Sequence, residues 1–258
     1  MFFLYAPLLV LIAFSFNDSK RNIVWRGFTF KYYGKVLEND GLMAALGNSL
    51  TIAALATAFS IVLGTLAAVM LWRFRFPFKA GVEGTMALPI VVPEICMGVA
   101  MLVFFAKLDW PTDMPWPLNL SAITIAHITF CFPFVAMVVR ARLAGFNKEQ
   151  EEAAKDLGAT EWQAFRDVLL PHMKPGIIAG CLLVFITSIG YYVTPALLGG
   201  PSDQMLSYYV AQYTNVEVNW GMACALGAIL FWRSAMAFYC LAEIQQSGRL
   251  AIGFRLLV

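Results

Sequence analysis

Few side chains in this chain are placed to do chemistry. Glu94 is the one acid set well inside an apolar run, beside Pro89 and Pro93. A carboxylate at that depth is costly unless it faces a cavity or a partner. It suits a transient counter-charge for a cation. It equally suits a helix-terminal acid bonded to backbone groups that the prolines free. Tyr191, Tyr192 and Trp220 offer ring faces to an ammonium group, although aromatics of this kind also form interfacial belts. Asp203 sits in the turn "GGPSDQ", in a connection that lacks Lys and Arg. His127, inside another apolar run, reads more simply as a packed, hydrogen-bonded residue than as a proton relay.

Other chemistries find little support. The sequence has no HExxH, no GxSxG and no acidic metal cluster, and its two histidines stand 45 residues apart. Cys96, Cys131, Cys181, Cys224 and Cys240 each lie in an apolar run without a CxxC, as buried small hydrophobes do. No Walker-type glycine loop offers a phosphate cradle, so ATP hydrolysis has no site in this chain. A net charge of +2 without a basic, aromatic-rich cluster gives no reason to expect a nucleic-acid partner.

The elements that must position these residues are membrane helices. The chain is 60% hydrophobic and 13% charged, with a mean hydropathy of +0.71. Apolar runs of about 20 residues match a hydrocarbon core about 30 Å thick. Six runs stand out: Phe2–Phe16, Asn48–Trp72, Gly84–Ala106, Leu120–Val139, Gly176–Leu198 and Met222–Ala242. The first is short and reads as the outer part of a span. None shows the alternation of barrel strands, so all are expected to be helices, which satisfy their own backbone in lipid. Gly64 and Ala68, four apart, would let helix backbones approach closely.

Lys and Arg set the expected orientation. Arg73, Arg75 and Lys79 follow the second run, and Arg140, Arg142, Lys148, Lys155, Arg166 and Lys174 follow the fourth. Arg249 and Arg255 follow the sixth, whereas the 3–4 connection "KLDWPTDMPWPLN" has only Lys107. The 2–3 and 4–5 connections and the C-terminus are therefore expected in the cytoplasm. The 1–2 connection departs from this pattern with Lys20, Arg21, Arg26, Lys31 and Lys35, and reads as a folded extracytosolic element.

Residues 151–176, "EEAAKDLGATEWQAFRDVLLPHMKPG", interrupt this oily chain with charge. Asn147 with Gln150, and Thr160 with Gln163, are cap pairs. Gly158 falls where a left-handed residue would end a helix. Two short helices are expected, at 148–157 and 161–169, bent at Gly158-Ala159. Pro171 should stop the second, and Pro175-Gly176 should open the fifth span. Phe165, Val168 and Leu169 would pack on the protein's own spans. Ala153, Ala154 and Leu157 form a small strip flanked by Glu149, Glu152, Lys155 and Asp156. That strip is either a solvated face or the shape that enters a groove on another protein.

The spacing of this segment carries a resemblance. Glu152-Ala153-Ala154, then Gly158, Val168 and Leu170-Pro171, is similar to the EAA loop (E-A-A-x3-G-x9-I-x-L-P) of ABC importer permeases, with Val for Ile. "LYAPLLVLIAFSFNDS", "WRGFTFKYY", "NSLTIA", "LPIVVPEICMGVAMLVFF", "YYVTPALLGGPSDQMLSYYV" and "NWGMACALGAIL" resemble the spermidine/putrescine branch, in a mixture of its two paired permeases. The departures are a short first run and a sixth run with Arg233 near its middle and Glu243 at its end. An arginine at mid-bilayer costs roughly 2.5–3.5 kcal/mol unless it faces protein or water.

The resemblance implies an all-α membrane protein of about six transmembrane helices with the type I (MetI-like) permease fold. It implies one permease domain, 1–258, containing a cytoplasmic coupling loop, 147–171. Glu152, Ala153, Ala154, Leu157, Gly158, Leu170 and Pro171 would couple it to a partner ATPase. Two ATPase copies would bind ATP-Mg, so that this chain needs no cofactor and is not itself an enzyme. A second permease and an extracytoplasmic binding protein would complete the assembly in the bilayer of a bacterial inner membrane. ATPase closure would push the loop and turn the path from inward- to outward-facing. Polyamine is the substrate implied, with another small solute as the alternative. A stand-alone secondary transporter would call for broken helices at matching places in two halves. The proline-broken third run has only Pro133 as a weak counterpart.

Overall fold

The computed structural model describes residues 2–21, 24–108 and 119–255, and side chains for these except at 2, 4, 240–242 and 244–255. Trp110 and Trp116 of the 3–4 connection lie outside the described residues, as do the side chains of Cys240, Arg249 and Arg255. The described chain is helical: α1 (Phe2–Phe14), α2 (Lys31–Leu37), α3 (Asp40–Arg73), α4 (Lys79–Val91), α5 (Glu94–Lys107) and α6 (Leu120–Leu143) come first. Next are α7 (Glu149–Asp156), α8 (Glu161–Ala164), a π-helical segment (Phe165–Leu169), α9 (Leu170–Gly190), α10 (Val193–Leu198), α11 (Leu206–Asn215) and α12 (Trp220–Arg255). The only strand-like pairing among the described residues is one bridge, Asn17 to Phe28.

All six apolar runs fall on helices, with altered bounds. Asp40–Arg73, Leu120–Leu143, Glu161–Gly190 and Trp220–Tyr239 are each long and apolar enough to cross a membrane. The pair α4 and α5 qualifies jointly, and Tyr5–Phe14 is a shorter apolar helix. At 34 residues, α3 is about 50 Å long and so outreaches a hydrocarbon core of about 30 Å. Arg233 lies exposed on α12.

Three boundaries differ from the sequence expectation. The third run is not one kinked helix. Val92, forced out of helical conformation ahead of Pro93, is extended at ψ 130°, and α5 starts afresh at Glu94. The fifth run stops at Gly190, and α10 forms after a break at Tyr191-Tyr192. Pro171 does not end its helix, and Pro175-Gly176 lies inside α9 rather than opening it. Leu170 donates its N–H five residues back to Phe165, and this π-helical widening accommodates a proline that lacks an N–H and would crowd a normal turn.

The chain forms two compact units. One comprises Met1–Leu55, Glu94–His127 and Ile186–Met236. Its core includes Tyr32, Val36, Leu42, Leu46, Leu206, Met222 and Leu226, so α2 packs with α3, α11 and α12. The 1–2 connection is indeed folded. Asn17, fully buried, donates from Nδ2 to the Val24 carbonyl and accepts from the Arg26 N–H. Phe16 stacks on Phe28 at 5.2 Å and on Tyr33 at 5.3 Å.

The other unit comprises Ala56–Pro93, Ile128–Phe185 and Ala237–Val258. Here the small-residue stripe acts as expected. A Cβ on Gly64 would meet the Phe132 carbonyl and Val135 at 2.6 Å, and Ala68 is fully buried. Only glycine lets α3 approach α6 so closely.

Candidate functional site

The charged interruption folds by local rules. Asn147 Oδ1 accepts the Glu149 N–H at 3.0 Å, one residue short of the expected pairing with Gln150. Glu149, Glu151 and Glu152 fill the first turn of α7, where the helix dipole favours acids. Gly158 has φ +93°, its N–H reaching the Lys155 carbonyl while Ala159 reaches back to Ala154. This is a Schellman ending. Thr160 and Gln163 then close a reciprocal capping box, at 3.3 and 2.8 Å.

The two faces of this element separate cleanly. Ala164 and Leu169 are fully buried, while Phe165 and Val168 are half-buried. On the other face Leu157 is 91% exposed and Trp162, stacked on Phe165, is 65% exposed. Glu152, Ala153 and Gly158 are exposed, Ala154 is half-buried, and Leu170 and Pro171 are exposed farther along.

The sequence reading missed one member. Glu151, beside the EAA triplet, turns inward with a side chain only 8% exposed and pairs with Arg73 at 2.9 Å. Arg73 also holds Glu161 at 2.9 Å, and Lys155 bridges Glu161 at 2.6 Å and Glu151 at 3.7 Å. The hydrogen bond from Lys155, helped by Arg73, holds the Glu161 carboxyl below its ordinary range. The i,i+4 spacing of Glu151 and Lys155 was the only local signal. Arg73 had counted merely as a topogenic charge. Arg140, counted likewise among the charges that set orientation, pairs with Glu83 at 2.8 Å. Beyond Arg142, whose carbonyl takes a hydrogen bond from His172 at 3.1 Å, Phe146 packs edge-on to Trp72.

In the other unit, Glu94 and the 191–194 turn come together. Glu94 Oε1 accepts from the Thr194 N–H at 3.1 Å and from its hydroxyl at 3.2 Å. The carboxylate thus caps α10 rather than backbone freed at Pro89 and Pro93. Beside them, the tip of the Leu197 side chain lies where a Cβ on Gly98 would come within 2.9 Å of it. Tyr191 lies edge-on to His127 at 5.3 Å, and its carbonyl takes the Ser207 hydroxyl. His127 is fully buried with Nδ1 on the Ile123 carbonyl, as a packed histidine would be. Tyr192 is exposed where α10 begins.

Asp203 belongs to the next turn. Its N–H bonds the Gly200 carbonyl, and Asn48 of α3 donates to the carbonyls of Ser202 and Gln204 on either side. Trp220 opens α12 and is exposed. Among the described residues, no hydrogen bond, ion pair or ring contact joins it to Glu94.

Comparison with known proteins identifies the family. Residues 60–247 match the family described as binding-protein-dependent transport system inner membrane component. Over 218 residues the chain is 40% identical to the putrescine transport system permease protein PotI of Escherichia coli strain K12, covering 84% of this chain and 78% of that one. It is 39% identical over 217 residues to the spermidine/putrescine transport system permease protein PotC of the same strain, covering 84% and 80%. A chain from the crystal structure of a bacterial ABC transporter involved in alginate import shares the fold, with a TM-score of 0.73 at 19% identity, covering 96% of this chain and 90% of that one. Helices made for lipid, an EAA element at its place between the fourth and fifth apolar runs, and these matches agree: the chain belongs to the inner membrane components of binding-protein-dependent transport systems, as a multi-pass permease of the ABC importer kind.

Proposed function

We propose that this permease passes polyamines of the putrescine and spermidine class across the inner membrane, driven by two copies of a partner ATPase that bind ATP-Mg. A second permease forms the other wall of the path, and an extracytoplasmic binding protein delivers substrate. The 4–5 connection and the C-terminus face the cytoplasm, in keeping with the Lys and Arg distribution. The observation that carries this reading is the Leu157–Gly158 corner. A large apolar side chain held 91% exposed at a rigid, capped bend has the form of a knob for a groove on another protein.

Glu152, Ala153, Ala154, Leu157 and Gly158 form the docking face, and Leu170-Pro171 hands its movement to α9. The relatives named for putrescine and spermidine support the substrate class. Glu94 supplies a carboxylate for ammonium groups, and Tyr191, Tyr192, Asp203 and Trp220 are the further candidates for the path. Labelled putrescine and spermidine uptake in vesicles containing the whole transporter tests this. Competition by polyamines but not by small anions is expected. Uptake that ignores polyamines, or that proceeds without the ATPase, would overturn it.

A further inference from the structure

The coupling element is bent, and a bend absorbs motion. Two short helices joined at Gly158-Ala159 would flex against one another if nothing spanned the joint. Arg73, the last residue of α3, spans it. One guanidinium nitrogen, Nη1, meets Glu151 on α7, and the other, Nη2, meets Glu161 on α8, each at 2.9 Å. Lys155 closes the ring from within. The planar fork of arginine suits such a bridge, whereas a lysine is a single point of charge.

Burial separates the Glu151 leg of this bridge from ordinary surface pairs. Glu151 is 8% exposed and Arg73 30%, whereas Glu161, at 71%, is as open as Arg166 and Asp167, at 57% and 56%. A second contact reinforces it: the Lys148 ammonium lies over the Trp72 ring, 5.0 Å from its centre. The end of α3 therefore grips α7 at its start and middle, and α8 at its first residue.

We infer that Arg73 is a positioning residue that locks the Gly158 bend and passes movement of the coupling element into α3. Movement of α8 passes into α9 along the continuous chain. Without Arg73, no charge of α3 would hold α7 and α8 together across the bend, and Lys148 on Trp72 would remain as the tie of α3 to the start of α7 alone. The inference rests on the reading of 147–171 as the ATPase-binding element.

The test uses the reconstituted transporter with Arg73→Gln, Arg73→Lys and the double variant Arg73→Gln/Glu151→Gln. It reads ATPase co-purification and substrate imported per ATP hydrolysed. The double variant leaves no buried unpaired carboxylate, so it guards against simple misfolding. Arg73→Gln is expected to keep the ATPase bound yet to import about fivefold less per ATP, or lower still. Arg73→Lys should recover part of that ratio, and the double variant should keep ATPase binding without recovering it. A wild-type ratio in Arg73→Gln would overturn the inference while leaving the docking reading intact, as would full recovery in the double variant. Failure of the unaltered permease to hold the ATPase would overturn the docking reading and this inference with it.

Discussion

The coupling element and the Glu94 turn both hold a carboxylate on donor groups, the charged Arg73 and Lys155 in the one and the neutral Thr194 in the other, but they are built in opposite ways. In the first, the ties that shape each helix span two to six residues: Asn147 to Glu149, Ala159 to Ala154, Thr160 to Gln163, Lys155 to Glu161. Its apolar tips, Leu157 and Trp162, stand in the open. In the second, the ties reach across the chain, from Glu94 to Thr194, Asn48 to Ser202 and Ser49 to Leu206, and Thr194 is fully buried. A region whose helices are shaped by near neighbours while it exposes large apolar groups is suited to be covered by another molecule. A region that exists only where distant segments meet is an internal joint. Damage to the first should appear as lost partnership, and damage to the second as altered passage.

The sharpest test is Leu157→Glu. The side chain touches little of its own subunit, so the permease should stay as stable as before while ATPase affinity falls about 30-fold, as for an interface hot spot. Titration of detergent-solubilised permease with the ATPase measures this, and unchanged affinity would erase the proposed contrast. Next comes Gly158→Val. A branched side chain at φ +93° should cost the bend about 1–2 kcal/mol, seen as faster hydrogen exchange across α7 and reduced uptake. Glu94→Gln keeps an acceptor for Thr194 but removes the charge. We expect about a fivefold higher KM for a polycation and a slightly lower melting temperature, because a bond to a charged group outweighs a neutral one by about 1 kcal/mol, for the substrate and for Thr194 alike.

Thr160→Ala should be milder. The lost cap costs about 1 kcal/mol of local helix stability, read at the Gln163 amide, with uptake barely changed. The smallest effect concerns pH. Glu161 has a depressed pKa, so its stabilising contribution is complete above the ordinary value of 4.5 and is lost as pH falls through the lower folded value. Exchange protection of α8 should thus be flat near neutrality and weaken only in acid. A change near pH 7 would contradict the Lys155 and Arg73 partnership.

What was readable beforehand follows the same division. The capping box, the glycine ending and the apolar runs depend on neighbours within a turn or two, and these the chain displays directly. Pro93 was visible as a disturbance, yet whether it would kink or break the helix depended on α5 finding α10 to pack against. Pro171 looked like a stop because a lone proline usually is one; packing of Ala164 and Leu169 made continuing through a π-helical turn the better solution. Glu151 looked like one more surface acid of a charged loop, because its pairing with Arg73 joins residues 78 positions apart.

Local pattern is enough to say that this chain lives in lipid, that its apolar runs are helical, and that a bent, capped, charged element lies between the fourth and fifth of those runs. Those properties come from hydropathy summed over about 20 residues and from hydrogen bonds between near neighbours. Packing between distant segments sets which charges are buried, that Glu94 caps α10, and that Arg73 straddles the Gly158 bend. A carboxylate's surroundings are set by whichever helix packs beside it, and that choice belongs to the whole fold.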